Sequence, residues 1–113
     1  MDVMASIVSH LSSELDCMVS TERPANPPKR MVTAIRTGGG GSRFMDTARV
    51  VIHAWGQSEK DAYTLGMDAA DAMFSLPGAA ENVAEVTQDS FYSNIYTDGT
   101  RRWSGAYVIV TNR

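Results

Sequence analysis

The sequence predicts one α+β domain: a mostly antiparallel sheet of four to five strands with two helices packed on it, in the order α-β-β-β-α-β-β. Two segments repeat apolar residues at helical spacing, several others alternate polar and apolar residues, and glycine or proline runs separate them. With 113 residues, 43% of them hydrophobic, the chain suits one core and is too short for two, so residues 1–113 are interpreted as a single domain.

The first helix is predicted at the N-terminus, because its apolar residues recur every three or four positions: Val3, Met4, Ile7, Val8, Leu11 and Leu15. A short extended segment is predicted from Cys17 to Thr21. Pro24, Pro27 and Pro28 follow in a loop, since proline lacks a backbone N–H and fits neither a helix interior nor a central strand.

A long hairpin is predicted next, from a strand at Met31 to Thr37 and a second strand at about Asp46 to Trp55, with Gly38 to Gly41 as a flexible break between them. The second strand turns alternate residues to the core: Ala48, Val50, Ile52 and Ala54. Its other face is too apolar for plain solvent and too polar for a core, which predicts contact with another subunit through Thr47, Arg49, Val51, His53 and Trp55.

The second helix is predicted to begin at Ser58, whose hydroxyl can accept a backbone N–H while the carboxylate of Asp61 reaches back. It is predicted to run to about Leu76, where Pro77 and Gly78 stop it. One stripe of this helix is apolar and faces the sheet: Ala62, Leu65, Ala69, Met73 and Leu76.

The last two strands are predicted at Val83 to Gln88 and at Trp103 to Asn112, with an Asp98-Gly99 turn between them. Both faces of the final strand are largely apolar. That pattern is typical of a central strand covered on both sides.

Charge is unevenly distributed along a chain whose net charge is −3. From Arg23 to Arg49 there are six basic residues and one acid, while from Glu59 to Asp71 there are four acids and one base. These segments are either two solvated faces or two surfaces that meet across a subunit boundary. The longest apolar runs are a few residues and Asp2 stands near the start, so we expect no membrane span and assembly in the cytoplasm.

No motif for nucleotide or metal binding emerges from the sequence. The run from Gly38 to Ser42 lacks the lysine and the following helix that a phosphate-binding loop requires. His10 and His53 have no metal-ligand spacing, and Cys17 is the one cysteine, so neither a metal, a cofactor nor a disulfide is expected.

Two enzymatic or ligand-binding alternatives stay open at this level. His53 together with Asp46 or Glu59 is a candidate acid–base pair if these groups converge. A deep pocket that holds His53 or Tyr107 with convergent polar groups would indicate a small enzyme or a ligand-binding domain.

Nucleic-acid binding is disfavoured because the isoelectric point is about 5.2 and the chain has no recognised nucleic-acid-binding motif. Its arginines and nearby aromatic residues are equally suited to an acidic protein surface. The residues concerned are Arg36, Arg43, Phe44, Arg49, Arg101, Arg102 and Trp103.

Five segments, taken in order, resemble the tail terminator proteins of long-tailed bacteriophages, of the type found in actinobacterial phages and prophages. They are Thr21-Glu22-Arg23-Pro24, the stretch from Pro28 to Gly39, the strand from Ala48 to Gly56, the stretch from Ser58 to Ala62, and Arg101-Arg102-Trp103. The resemblance covers nearly the whole chain.

The resemblance implies a non-enzymatic virion protein at the head-proximal end of the tail, without a cofactor. Such a protein assembles as a homo-hexameric ring on the last ring of the tail tube, stops tube growth and presents a surface to the head–tail connector or stopper protein. DNA would meet it only by passing through the ring lumen. A neighbouring head–tail joining protein is the alternative.

A ring needs two unlike edges on each subunit, and the basic hairpin and the acidic second helix are candidates for them. The residues predicted to contact another subunit or the tail tube are Arg36, Arg43, Phe44, Arg49, His53, Trp55, Asp68, Asp71, Arg101, Arg102 and Trp103.

Overall fold

A computed structural model describes residues 3–42 and 45–112 of the chain. Its elements are α1 (Val3–Glu14), β1 (Met18–Ser20), β2 (Met31–Gly41), β3 (Met45–Gly56), α2 (Glu59–Phe74), α3 (Leu76–Ala79), β4 (Val83–Ile95) and β5 (Arg101–Asn112). The predicted α+β class and the order α-β-β-β-α-β-β are confirmed, with the short helix α3 as an addition.

The five strands form one sheet in the order β1-β2-β3-β5-β4. β1 runs parallel to β2, and every other neighbouring pair is antiparallel. β5 lies between β3 and β4, as its apolar composition predicted. The β4–β5 hairpin closes through the predicted Asp98-Gly99 turn, where Gly99 has a φ of 86° that favours glycine.

The hydrophobic core lies between one face of the sheet and the helices. The predicted stripe of α1 is buried at Val3, Ile7 and Leu11. The predicted core residues of β3, Ala48, Val50, Ile52 and Ala54, are each at most 4% exposed. The opposite face of the sheet is less covered, because Ile35 and Tyr92 are 41% and 45% exposed there.

Helix α2 is capped almost as the sequence predicts. The Ser58 hydroxyl accepts the backbone N–H of Asp61 at 3.1 Å. The carboxylate of Asp61 accepts the N–H of Gln57 at 3.2 Å, one residue before the cap. Two N–H groups at the start of the helix are thereby satisfied.

The predicted end of α2 is wrong by two residues, about half a helical turn. The helix ends at Phe74, and Leu76 begins α3, which contains Pro77 and Gly78. Proline stands here in the first turn of a new helix, where its missing N–H needs no intrahelical partner. Leu76 is nevertheless fully buried, as the stripe predicted.

The predicted flexible break at Gly38 to Gly41 is also wrong, because these four glycines continue β2. Each pairs with a residue of β3, from Gly38 opposite Arg49 to Gly41 opposite Asp46, after a register shift that follows Arg36. Backbone hydrogen bonds to an existing neighbour strand outweigh the low strand propensity of glycine.

Strands β4 and β5 are longer than predicted. β4 continues past Gln88 to Ile95, and β5 starts at Arg101 rather than at Trp103. The second half of β4 is polar and lacks the alternation of apolar residues that predicts a strand. The pairing of β4 with β5 also shifts register twice, between Val83 and Glu85 and between Gln88 and Ser90.

Candidate functional site

A cluster of cations and aromatic rings occupies the end of the sheet at which β3 finishes. Trp55 is 3% exposed, and its ring N–H donates to the hydroxyl of Thr33 at 3.1 Å. The guanidinium carbon of Arg23 lies 4.1 Å from the centre of the Trp55 ring, and that of Arg102 lies 5.1 Å away. Contacts of this kind stabilise a cation over the ring face.

The same cluster fastens the proline-rich loop to the β4–β5 turn. Arg23, from that loop, forms an ion pair of 2.8 Å with Asp98 and donates to the hydroxyl of Thr100 at 3.1 Å. Hydrogen bonds from Thr100 and Arg23 hold the pKa of Asp98 below its ordinary range. Tyr96 packs edge-on against Trp55, with ring centres 5.0 Å apart.

These contacts affect two of the predicted interface residues. Trp55 is enclosed by its own chain, and Arg102 is half-buried and donates to Asn94. Both side chains therefore stabilise the fold at this end of the sheet, and the ring of Trp55 is not on an accessible surface.

His53 lies on the same face of β3, with Nδ1 2.6 Å from the hydroxyl of Ser104. Burial, aided by the positive charge of Arg102, lowers the pKa of His53 to about 4, so the ring is neutral at pH 7. Ser104 is 0% exposed and also accepts an N–H from Asn94 at 3.2 Å. A serine without access to solvent cannot meet a substrate.

The acid–base pairings considered for His53 do not form. Glu59 accepts the ring N–H of Trp103 at 2.9 Å, on the helix side of the sheet. Asp46 alternates to the face of β3 opposite His53. Tyr107 is 2% exposed, and its hydroxyl accepts from Gln88 at 3.0 Å, so it lines no open pocket.

Trp103 belongs to a second aromatic cluster, between α2 and β4. Its ring centre lies 4.9 Å from that of Tyr63 and 4.9 Å from that of Phe91. Tyr63 is 43% exposed, so this cluster reaches the surface. Trp103 itself is half-buried.

Two arginines of the basic hairpin make contacts within the chain, so they are less available to a partner subunit than the sequence suggested. Arg49 pairs with Asp89 at 3.4 Å, and Arg36 donates to the carbonyl of Gly38 at 3.2 Å. Arg43 and Phe44, also predicted interface residues, lie outside the described residues.

Asp68 and Asp71, the predicted interface residues of α2, line a cleft of about 610 Å³ between α1 and α2. Four carboxylates and one guanidinium surround it: Glu14, Asp16, Asp68, Asp71 and Arg30. Arg30 forms ion pairs with Asp16 at 3.1 Å and with Asp61 at 3.0 Å. The contact with Asp61 is made by Nε and lacks the geometry of a hydrogen bond. The carboxylates of Glu14, Asp68 and Asp71 have no hydrogen-bond or ion-pair partner among the described residues.

A second cleft, of about 440 Å³, lies between the proline-rich loop and the β4–β5 turn and is basic. Arg23, Lys29 and Arg101 line it together with Asp98. Asp98 is engaged by Arg23, whereas Lys29 and Arg101 are exposed and pair with no side chain in the described part of the chain. The sequence predicted Arg101 as an interface residue but not Lys29, whose neighbours are set by chain folding rather than by local pattern.

Within residues 3–42 and 45–112, no three histidine, cysteine, aspartate or glutamate side chains converge as metal ligands. The helices in that part of the chain are too short or too polar to cross a membrane. Burial raises the pKa of the Cys17 thiol, so the thiolate is disfavoured.

No protein-family model and no curated protein matches the sequence. The fold is similar to that of a virion chain. Over 98% of this chain and 95% of the other, it superimposes with a TM-score of 0.74 on a chain from the virion of a native gene transfer agent particle. Sequence identity between the two is 12%, so the likeness establishes the fold.

Proposed function

We propose that this chain is a structural virion protein that forms a ring on the tail tube, terminates tube polymerisation and provides the attachment surface for the head connector. The observation that carries the proposal is the similarity in fold to a chain of a gene transfer agent virion, which extends over almost the full length of both chains. The sequence resemblance to tail terminators supports the same role.

The arrangement of polar groups also favours a binding role over catalysis. His53 is half-buried against the buried hydroxyl of Ser104, and the carboxylates considered as partners of His53 lie elsewhere. Two of the open clefts are instead lined by charged side chains suited to protein surfaces.

In this proposal the ring is a homo-hexamer at the head-proximal end of the tail, assembled in the host cytoplasm. Its partners are the major tail tube protein on one side and the connector or stopper protein on the other. DNA passes through the lumen without being recognised, in keeping with a net charge of −3.

Light scattering on the purified protein, alone and after mixing with short tubes of the tail tube protein from the same genome, tests the proposal. We expect a hexamer in at least one of the two conditions. A chain that stays monomeric alone and does not sediment with the tubes would contradict the terminator role. Binding to the connector but not to the tubes would assign the chain to a neighbouring joining ring.

A further inference from the structure

Two side chains in the basic cleft have nothing to neutralise them in the described structure. Lys29 and Arg101 border a space of about 440 Å³, and Asp98, the one carboxylate that the described residues bring to it, is held by Arg23 at 2.8 Å. Two cations that share a cleft repel each other, and an acidic group placed between them would be bound by both.

The acidic cleft has the opposite imbalance. Glu14, Asp68 and Asp71 face a space of about 610 Å³, and Arg30, the one cation of the described residues that lines it, is paired with two other carboxylates. The helix that carries Asp68 and Asp71 has no basic residue in its last turn. The cleft therefore favours a partner that brings positive charge.

The hairpin predicted from the sequence is the weaker match for this cleft. Arg49 already pairs with Asp89, and Arg36 bonds to a carbonyl of its own strand. Among residues 3–42 and 45–112, the side chains of Lys29 and Arg101 have no such partner, so bringing them to a carboxylate breaks no contact seen there. Opposite charges on one chain that are not satisfied within the chain are suited to pairing between copies.

We propose that the basic cleft at Lys29 and Arg101 of one copy receives the acidic cleft at Asp68 and Asp71 of the next copy, head to tail. The inference rests on the proposed ring and specifies which surfaces close it. The two clefts have no lining residue in common, although Lys29 of one and Arg30 of the other are consecutive in the chain, so the contact is heterologous and each copy offers one cleft of each sign.

Four charge variants test this contact in the full chain. The acid-reversed chain carries Asp68→Lys and Asp71→Lys, the base-reversed chain carries Lys29→Glu and Arg101→Glu, and a third chain carries all four changes. Lys60→Glu is the matched control, because Lys60 is exposed, lies outside both clefts and has no partner among the described residues. Circular dichroism checks that every variant is folded.

Assembly is measured as ring mass by light scattering and as the protein concentration that saturates tube ends in a sedimentation assay. We expect each half-reversed chain to need at least about tenfold more protein than wild type, because like charges then face each other at every contact. An equimolar mixture of the two should regain assembly, since every contact in an alternating ring is again complementary. The chain with all four changes should also regain it, and Lys60→Glu should behave as wild type.

Wild-type assembly by folded half-reversed chains would overturn the pairing while leaving the ring proposal intact. Half-reversed chains that fail to assemble both alone and when mixed would also overturn the pairing, because mixing restores opposite charges at every contact. If the base-reversed chain forms normal rings but loses retention of double-stranded DNA, the basic cleft contacts phosphate instead. A wild-type chain that forms no ring alone or on tubes contradicts the proposed function itself.

Discussion

Gly56 is the position at which a single methyl group most directly tests the docking of α2 on the sheet. It is the last residue of β3, and a Cβ placed there would lie 2.5 Å from the backbone nitrogen of Ala62 and 2.9 Å from its Cα. The carbon of Asp61 would be 3.0 Å away. All three are backbone atoms of the first turn of α2, so relief requires the helix to move away from the strand.

Extra volume in a packed site typically costs about 1 to 3 kcal/mol, and a clash with backbone belongs at the upper end of that range. We therefore expect Gly56→Ala to lower the free energy of unfolding by about 3 kcal/mol. With an m-value of about 1.5 kcal/mol/M, the urea midpoint would fall by about 2 M.

Gly40→Ala is the matched control, because nothing lies within 4 Å of a Cβ at Gly40. Its free energy of unfolding should change by less than about 1 kcal/mol, in the stabilising direction if the unfolded chain loses freedom. Both variants are measured by urea denaturation followed by circular dichroism. A Gly56→Ala variant with wild-type stability and an unchanged m-value would refute the close approach of β3 to α2.

Two further predictions concern the cluster at the end of β3. The folded-state pKa of His53, about 4, lies below the value of about 6.5 in an unfolded chain. Between these pH values the unfolded chain binds more protons than the folded chain. The free energy of unfolding therefore falls as pH falls from about 6.5 to about 4. The full pKa shift corresponds to about 3 kcal/mol, which solvent screening of a partly exposed ring reduces to about 1 to 2 kcal/mol. Urea titrations at pH 7 and pH 4.5 should therefore show a smaller loss of unfolding free energy in His53→Gln than in wild type. Equal losses would contradict the lowered pKa of His53. Trp55→Phe removes the donor to Thr33, leaves a buried hydroxyl unpaired and opens a small void, so we expect a loss of about 2 kcal/mol in the same assay; an unchanged urea midpoint would count against the bond.

The sequence predicted those elements whose pattern is imposed by the core. Alternation in β3 and helical spacing in α1 and α2 are direct consequences of burying one face, and the structure buries those faces. The four glycines of β2 carried no such signal, because their strand is held by the register with β3 rather than by side chains of their own. The polar half of β4 likewise carries no alternating pattern and is held by its pairing with β5.

The candidate interaction surfaces were predictable only in part. Uneven charge along the chain favoured the acidic residues of α2 as a candidate interaction surface, and Asp68 and Asp71 do share a cleft. That Arg23 would reach Asp98, 75 residues away, and pack over Trp55 was not readable from any local pattern. That contact also determines which cations remain free, which is why the sequence favoured the hairpin over Lys29.

The proposed terminator role of the chain is tested most directly by the length of tail tubes polymerised in its presence. Tube protein is allowed to assemble while the chain is added in increasing amounts, and tube lengths are measured by negative-stain electron microscopy. A terminator role predicts that tubes become shorter as the amount rises and that a ring of this protein occupies one end of each tube. Tubes of unchanged length with bare ends would contradict it.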